Sequence, residues 1–211
     1  MQIYLRIILL IAAIMLLHYT AISQTNMSEL NSTASYETAT FGSGCFWCTE
    51  AIFSRVNGVI DAVSGYSGGT ESNPTYQLIS TGTTRYAEVT QITFDPEVVS
   101  FKKLLEIFWN THDPTTLNRQ GADVGPQYRS VIFFHNSKQK EESEFYKDQL
   151  NKANIWNKPI VTEISPFSGF YKAEDDHQDF YENNPNYGYC NYVITPKIEK
   201  FENVFKDQLK K

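Results

Sequence analysis

Residues 38–56 read TATFGSGCFWCTEAIFSRV. Thr38 to Phe41 is short and β-prone, and the Gly42-Ser43-Gly44 run interrupts the strand. From Cys45 the period changes. Cys48, Ile52 and Val56 recur every four residues with Ala51 beside them, and Gly58 supplies a stop. That spacing lays one apolar stripe along a helix. A strand therefore turns abruptly into a helix, with Cys45 in the first helical turn. The chain has three cysteines, and two of them flank Phe46 and Trp47 here. Such a pair is a metal half-site, a structural staple, a redox couple, or a nucleophile with its partner.

Outward from this junction, strands and helices alternate. Residues 59–69 read as a strand entering a glycine-rich turn, and 74–82 as a short helix or turn. Residues 86–96 alternate as a strand that places Glu88, Ile92 and Phe94 on one side. An amphipathic helix over 98–109 buries Phe101, Leu104, Leu105 and Phe108. Periodicity then stops over 112–129, and irregular stretches of that length inside a domain are functional or disordered. The Arg, Asp, Gln and Tyr content here argues against disorder. A strand follows at 131–135, a helix at 137–154 and a strand at 160–165. Residues 167–192 are irregular again, and the tail from Pro196 reads as a surface helix. The pattern predicts one α+β domain whose mixed or antiparallel sheet is covered by helices. The domain is expected over 38–196, with a helical tail over 197–211.

The first segment stands apart. One positive charge at Arg6 precedes an apolar run from Ile7 to Leu17, and Ala21-Ile22-Ser23 closes it with small residues. This is the layout of a secretory signal peptide, expected over 1–23, with a polar linker over 24–37. The run falls short of the ~20 residues that span a bilayer, so a retained membrane anchor is the lesser reading. The mature protein is expected to be exported. A net charge of −6 disfavours a nucleic-acid partner, which would want clustered Lys and Arg.

An oxidising compartment favours disulfides, and three cysteines leave one thiol to be explained. Zinc needs four ligands, and His112, His135 and His177 lack ligand spacing around Cys190, so no metal is expected. A Cys45–Cys48 staple would close too small a loop to stabilise much. Neighbouring thiols do exchange electrons readily. Cys45, at a helix start, is expected to be the more ionised of the two, because unpaired N–H groups and the helix dipole favour an anion. Cys48, on the buried stripe, is expected to be the less ionised.

GCFWCTE at 44–50 resembles the active-site signature of the A-type peptide methionine sulfoxide reductases. The blocks GYSGG (65–69), YAEV with its FDP, FWNTHDP, RQGADVGPQYRS and AEDDHQDFYENNP are similar to family blocks in the family's order, over roughly residues 40–195. The resemblance implies an α+β fold of the two-layer, ferredoxin-like sandwich type, and reduction of methionine S-sulfoxide, free or in oxidised proteins, to methionine. It makes Cys45 the nucleophile and Phe46 and Trp47 the pocket for the substrate's methyl group. Glu88, Tyr66 and Tyr128 match groups that hold the sulfoxide oxygen, Asp123 matches a further substrate contact, and Cys190 matches a resolving cysteine. Cys48 belongs to a subgroup with GCFWC, so Cys48 and Cys190 compete to resolve the intermediate. Val124 departs from the pattern, standing where some relatives have His. The implied enzyme is a monomer without bound cofactor, reset by an external dithiol, thioredoxin or a thioredoxin-like donor.

The chemistry agrees with this reading. A sulfoxide oxygen leaves only once protonated, so an acid with a raised pKa is required. Glu88, on a core-facing strand position, would acquire one by desolvation. Two other readings remain: an exported thioredoxin-like thiol–disulfide oxidoreductase, and a non-enzymatic module that binds thioethers through Phe46 and Trp47.

Overall fold

The computed structural model describes residues 35–211, and Tyr36–Lys211 form one compact unit. The expected signal peptide and most of the linker lie outside the described residues. Among the described residues, no helix is long and apolar enough to cross a membrane.

β1 (Glu37–Ser43) leads into α1 (Phe46–Phe53), then β2 (Val59–Ser67), α2 (Tyr76–Ile79), β3 (Ala87–Phe94) and α3 (Phe101–Thr111). Two-residue strands β4 (Arg119–Gln120) and β5 (Asp123–Val124) precede β6 (Ser130–Phe134). α4 (Ser137–Lys152), β7 (Glu163–Pro166), β8 (Tyr171–Lys172), α5 (Phe180–Asn183) and α6 (Thr195–Val204) complete the order. The main sheet runs β7-β6-β1-β3-β2-β8. Its four central strands, β6-β1-β3-β2, are antiparallel and joined in the βαββαβ order of a ferredoxin-like fold. Parallel β7 on one edge makes the sheet mixed.

Alternation in the strands divides the apolar residues between two faces. Ala39 and Phe41 of β1 and Ile92 and Phe94 of β3 join Ile52 of α1 and Leu104, Leu105 and Phe108 of α3 in the large core under the helices. Ala87, Val89, Val131 and Phe133 line the other face, covered by Phe167 and Phe170. β3 is thus buried on both sides, which is why its alternation in sequence is imperfect.

Three sequence expectations change. β1 continues through Gly42 and Ser43, because β6 pairs with both residues through Val131 and Ser130. The break falls at Gly44 alone, whose φ of +98° is left-handed and whose Cβ would meet Gln120 at 2.6 Å. Secondly, the 167–192 stretch is not irregular to its end. Helix begins at Gly188 and passes through a π-helical turn at Cys190–Ile194 into α6. Thirdly, α6 is no surface appendage. It buries Ile198 and Phe201, and Phe205 beyond it, in the main core.

Candidate active site

β1 stops at Gly44 and α1 starts at Phe46, so Cys45 is the residue at the junction, with φ −56° and ψ 124°. Its thiol opens into a cavity of about 190 Å³ lined by Phe46, Trp47, Tyr76, Glu88, Tyr128 and Tyr189, with Asp123 and Tyr187 at its rim. Strand parity delivers Glu88: it points from β3 toward the helices, as Ile92 and Phe94 do, and only 1% of its surface is exposed. The Phe46 N–H donates to Glu88 Oε2 at 3.1 Å. Burial pushes the Glu88 carboxyl up to about 8, against the pull of that N–H. At neutral pH the site therefore holds a proton-bearing carboxyl beside Cys45.

The aromatic wall is fixed by its neighbours. Trp47 stacks on Phe180 with centroids 3.7 Å apart, and its indole N–H donates to His177 Nδ1 at 3.1 Å. Tyr189 meets Trp47 edge-on and donates its hydroxyl to Asp123 Oδ2 at 2.6 Å. Phe46 is buried against Tyr66, Tyr76 and His177. Asp123 and Tyr128 reach the cavity from the β5 hairpin and the short 3₁₀ turn Pro126–Tyr128, which gives order to the long aperiodic stretch.

Tyr66 does not line this cavity. It lies across from Glu88 in the β2–β3 ladder, but its side chain is fully buried and its hydroxyl donates to Glu174 Oε2 at 2.8 Å. Burial and that carboxylate hold the phenol far above its ordinary range. Tyr76, not Tyr66, lines the cavity with Glu88 and Tyr128. Thr75 caps α2 by accepting from the Leu78 N–H, and the Tyr76 N–H donates to Glu174 Oε1 at 2.8 Å. One carboxylate thus occupies the Tyr66 hydroxyl and anchors Tyr76. The Asn73-Pro74-Thr75-Tyr76 run, a turn followed by a cap, was the signal in the sequence that could have found it. Tyr187, Tyr189 and His177 were also missed, since they come from a segment without periodicity.

The expected order of ionisation is reversed. Burial raises the Cys45 thiol well above its ordinary value, and bonding to Cys48 and the charges of Cys48 and Glu88 add to this. The helix start stabilises it little, because the Phe46 N–H is engaged by Glu88 and the Trp47 N–H has the smallest effect on the thiol. Cys48 is drawn down to about 7, first by the bond from Cys45 and then, against burial, by the Lys197 ammonium. Lys197 Nζ stands 3.8 Å from Cys48 Sγ. The pair titrates as one unit, and the Lys197 ammonium favours its negative charge on the Cys48 side.

Cys190 has no exposed surface and belongs to the same core cluster as Cys45 and Cys48. It sits in the π-helical turn, with the Thr195 hydroxyl donating to its carbonyl at 3.0 Å. It is not a ready swinging arm. All three cysteines are free thiols.

The family model described as Peptide methionine sulfoxide reductase matches residues 37–209. The chain is 53% identical to the peptide methionine sulfoxide reductase MsrA of Sulfolobus acidocaldarius, over 82% of this chain and 97% of that protein. It is 47% identical to the MsrA of Deinococcus radiodurans, over 89% and 91% of the two chains. Among solved structures, reduced Mxr1 from Saccharomyces cerevisiae superposes with a TM-score of 0.68 at 34% identity, covering 75% of this chain and 91% of that one. Methionine sulfoxide reductase A of Corynebacterium diphtheriae gives 0.67 at 36%, covering 76% and 80%. The thioredoxin-like alternative finds no support in these likenesses or in the antiparallel central strands.

Proposed function

This chain belongs to the A-type peptide methionine sulfoxide reductase family and is a thiol-dependent reductase of methionine sulfoxide; we propose that it acts on the S epimer, with Cys45 as nucleophile and Glu88 as general acid. The observation that carries the assignment of roles is the juxtaposition of the Cys45 thiol with a buried carboxyl that keeps its proton at pH 7.

In this reading Phe46 and Trp47 hold the methyl group and the Glu88, Tyr76 and Tyr128 hydroxyls face the sulfoxide oxygen. Phenols whose pKa is raised, as burial raises those of Tyr76 and Tyr128, remain donors throughout the working range. Cys45 sulfur bonds to the sulfoxide sulfur while Glu88 protonates the oxygen. Transfer of that oxygen to Cys45 releases methionine and leaves a sulfenic acid. Cys48 then closes a disulfide, with loss of water, and Cys190 takes over Cys48's partner by exchange, a step that requires its buried π-helical turn to unwind before an outside dithiol can reach the new disulfide. Asp123 and Tyr189 shape the rim where the substrate backbone enters.

Thioredoxin or a thioredoxin-like donor is the proposed reductant, and protein repair the proposed role. The N-terminal apolar run supports export with cleavage near Ser23, which would place that donor outside the cytoplasm. The test is anaerobic turnover of the separate S and R epimers with a dithiol, with Cys45→Ser as control. Consumption of the S epimer alone is expected. Equal consumption of both, or methionine release by Cys45→Ser in a single turnover, would end this reading.

A further inference from the structure

We propose that Lys197 is a positioning residue for the reduced cysteine pair: it holds the pair's negative charge on Cys48, so that Cys48 first accepts the Cys45 proton and later attacks the sulfenic acid. The proposal rests on Cys45 being the nucleophile. Its geometry is the 3.8 Å approach of Lys197 Nζ to Cys48 Sγ, made by a residue 149 positions further along the chain.

The groups facing Cys48 come from every element packed around it. They are Cys45 at the start of α1, Glu88 from β3, Asp123 from β5, Tyr189 and Cys190 from the turn before α6, and Lys197 from α6. Lys197 is the one cation among them. The others are carboxyls, a phenol and thiols, which oppose a thiolate or at best donate a bond to it. Among the described residues, Lys197 makes no ion pair with a carboxylate that would divert its charge. Its placement is secure because its neighbour Ile198 and Phe201 one turn on are buried in the core. Its other side lines a larger cavity of about 380 Å³ beside His112, Gln120 and Phe201, which does not include Cys45. The ammonium therefore touches solvent on one side and the thiol on the other, a site where an ion is not stripped of all its water.

The step balances. At the start Cys45 carries a proton, Glu88 carries a proton, and Cys48 is a thiolate. As the Cys45 sulfur bonds to the sulfoxide sulfur, its proton passes to Cys48 and the Glu88 proton passes to the oxygen. The oxygen moves to Cys45 as the sulfoxide sulfur leaves, reduced, in methionine. Cys48 sulfur then bonds to Cys45, the S–O bond breaks, and the departing hydroxide takes the Cys48 proton to form water. One negative charge, first on Cys48, ends on Glu88. Two thiol sulfurs are oxidised to a disulfide and one sulfoxide is reduced, so no further reactant is needed.

The test is a pH titration of the fully reduced, full-length protein without substrate, followed by thiolate ultraviolet absorbance and by mass-spectrometric mapping of brief alkylation. The wild type should develop one thiolate near 7, lost in Cys48→Ser and retained in Cys45→Ser. Lys197→Met, and Lys197→Gln should the first fold poorly, should move that midpoint upward by about one unit or more, a roughly tenfold fall in the thiolate-to-thiol ratio at fixed pH. Lys197→Arg should restore most of it, which a purely structural lysine would not require. An unmoved midpoint in the folded Lys197→Met or Lys197→Gln variant would overturn the proposal, as would a thiolate that disappears in Cys45→Ser. Because no sulfoxide is present, this result is separate from whether the epimer assay succeeds.

Discussion

Glu88→Gln is the most incisive perturbation of the chemistry. The amide keeps the volume and can still accept the Phe46 N–H through its oxygen, so the 3.1 Å contact survives. What is lost is the proton. With the carboxyl at about 8, roughly nine-tenths of the wild type carries that proton at pH 7 and roughly one-tenth at pH 9. Methionine release in a single turnover should therefore peak between the two midpoints, as Cys48 ionises and Glu88 still holds its proton, and fall roughly fivefold from pH 7 to pH 9. Glu88→Gln should be slower by roughly 10²–10⁴ and should lack the falling limb. Stability moves the opposite way. A carboxyl whose folded value is raised from 4.5 to about 8 contributes stability that is fully present below 4.5 and lost as pH rises through 8. Above pH 8 the wild type carries a penalty with a ceiling of about 5 kcal/mol, which the Gln variant escapes. Rapid quench for the rate and thermal melts across pH 5 to 9, about four units, give both readings. A variant within a few-fold of wild type, or one that retains the alkaline limb, refutes the assignment of Glu88.

The two tyrosines separate in the same assay. Tyr76→Phe should slow methionine release with little change in melting, whereas Tyr66→Phe, which removes the hydrogen bond from a buried phenol to the exposed Glu174 carboxylate, should chiefly lower stability, by about 1 kcal/mol. Glu50, 3% exposed, accepts from the Ser64 N–H at 3.3 Å and the Asp179 N–H at 2.9 Å, and burial pushes it up to about 7. Glu50→Gln should be less stable than wild type at pH 5 by about 1–2 kcal/mol, having one acceptor where two are needed, and should gain on it as pH passes 7; parallel melting curves would contradict this. For resolution, early-quenched peptide mapping should find Cys45–Cys48 first. Cys48→Ser should leave a trappable sulfenic acid, and Cys190→Ser should spare the single turnover and impair recycling. A Cys45–Cys190 bridge appearing first would reverse the order.

The parts of the site that sequence made legible are those governed by local period. The change from extended to four-residue spacing at Gly44 places Cys45, and alternation on β3 turns Glu88 inward beside Ile92 and Phe94. What was hidden depends on partners distant in the chain. Tyr66 and Tyr76 are both tyrosines in turn-rich stretches, and only Glu174, about a hundred residues away, decides which hydroxyl is free. The ionisation of the cysteine pair turned on burial and on Lys197, neither visible in GCFWC. Gly188 and Asn191 looked like loop, yet the Tyr181–Thr195 and Tyr189–Asp123 hydrogen bonds clamp that segment into a helix with Cys190 inside. The tail's alternating charges concealed three residues, Ile198, Phe201 and Phe205, that complete the core.

The burial that seemed ill-suited to a thiol nucleophile suits this reaction. Turning a sulfoxide oxygen into water takes two protons, and in a site open to bulk water the thiol would keep its proton at neutral pH but the carboxyl would have lost its own. Here desolvation works on Cys45 and Glu88 in the same sense, raising both, so both protons are present before substrate arrives. A protonated thiol is a weak nucleophile, and that is the difficulty burial creates. Cys48 relieves it from three residues away, since its sulfur interacts with the Cys45 thiol and can accept that proton as attack proceeds. The same proton later leaves with the oxygen when Cys48 attacks. A second cysteine on the first turn of α1 therefore has a reason to be there before any sulfenic acid exists. A resolving thiol confined to Cys190, buried in its π-helical turn, could supply the later bond but not the earlier proton acceptor.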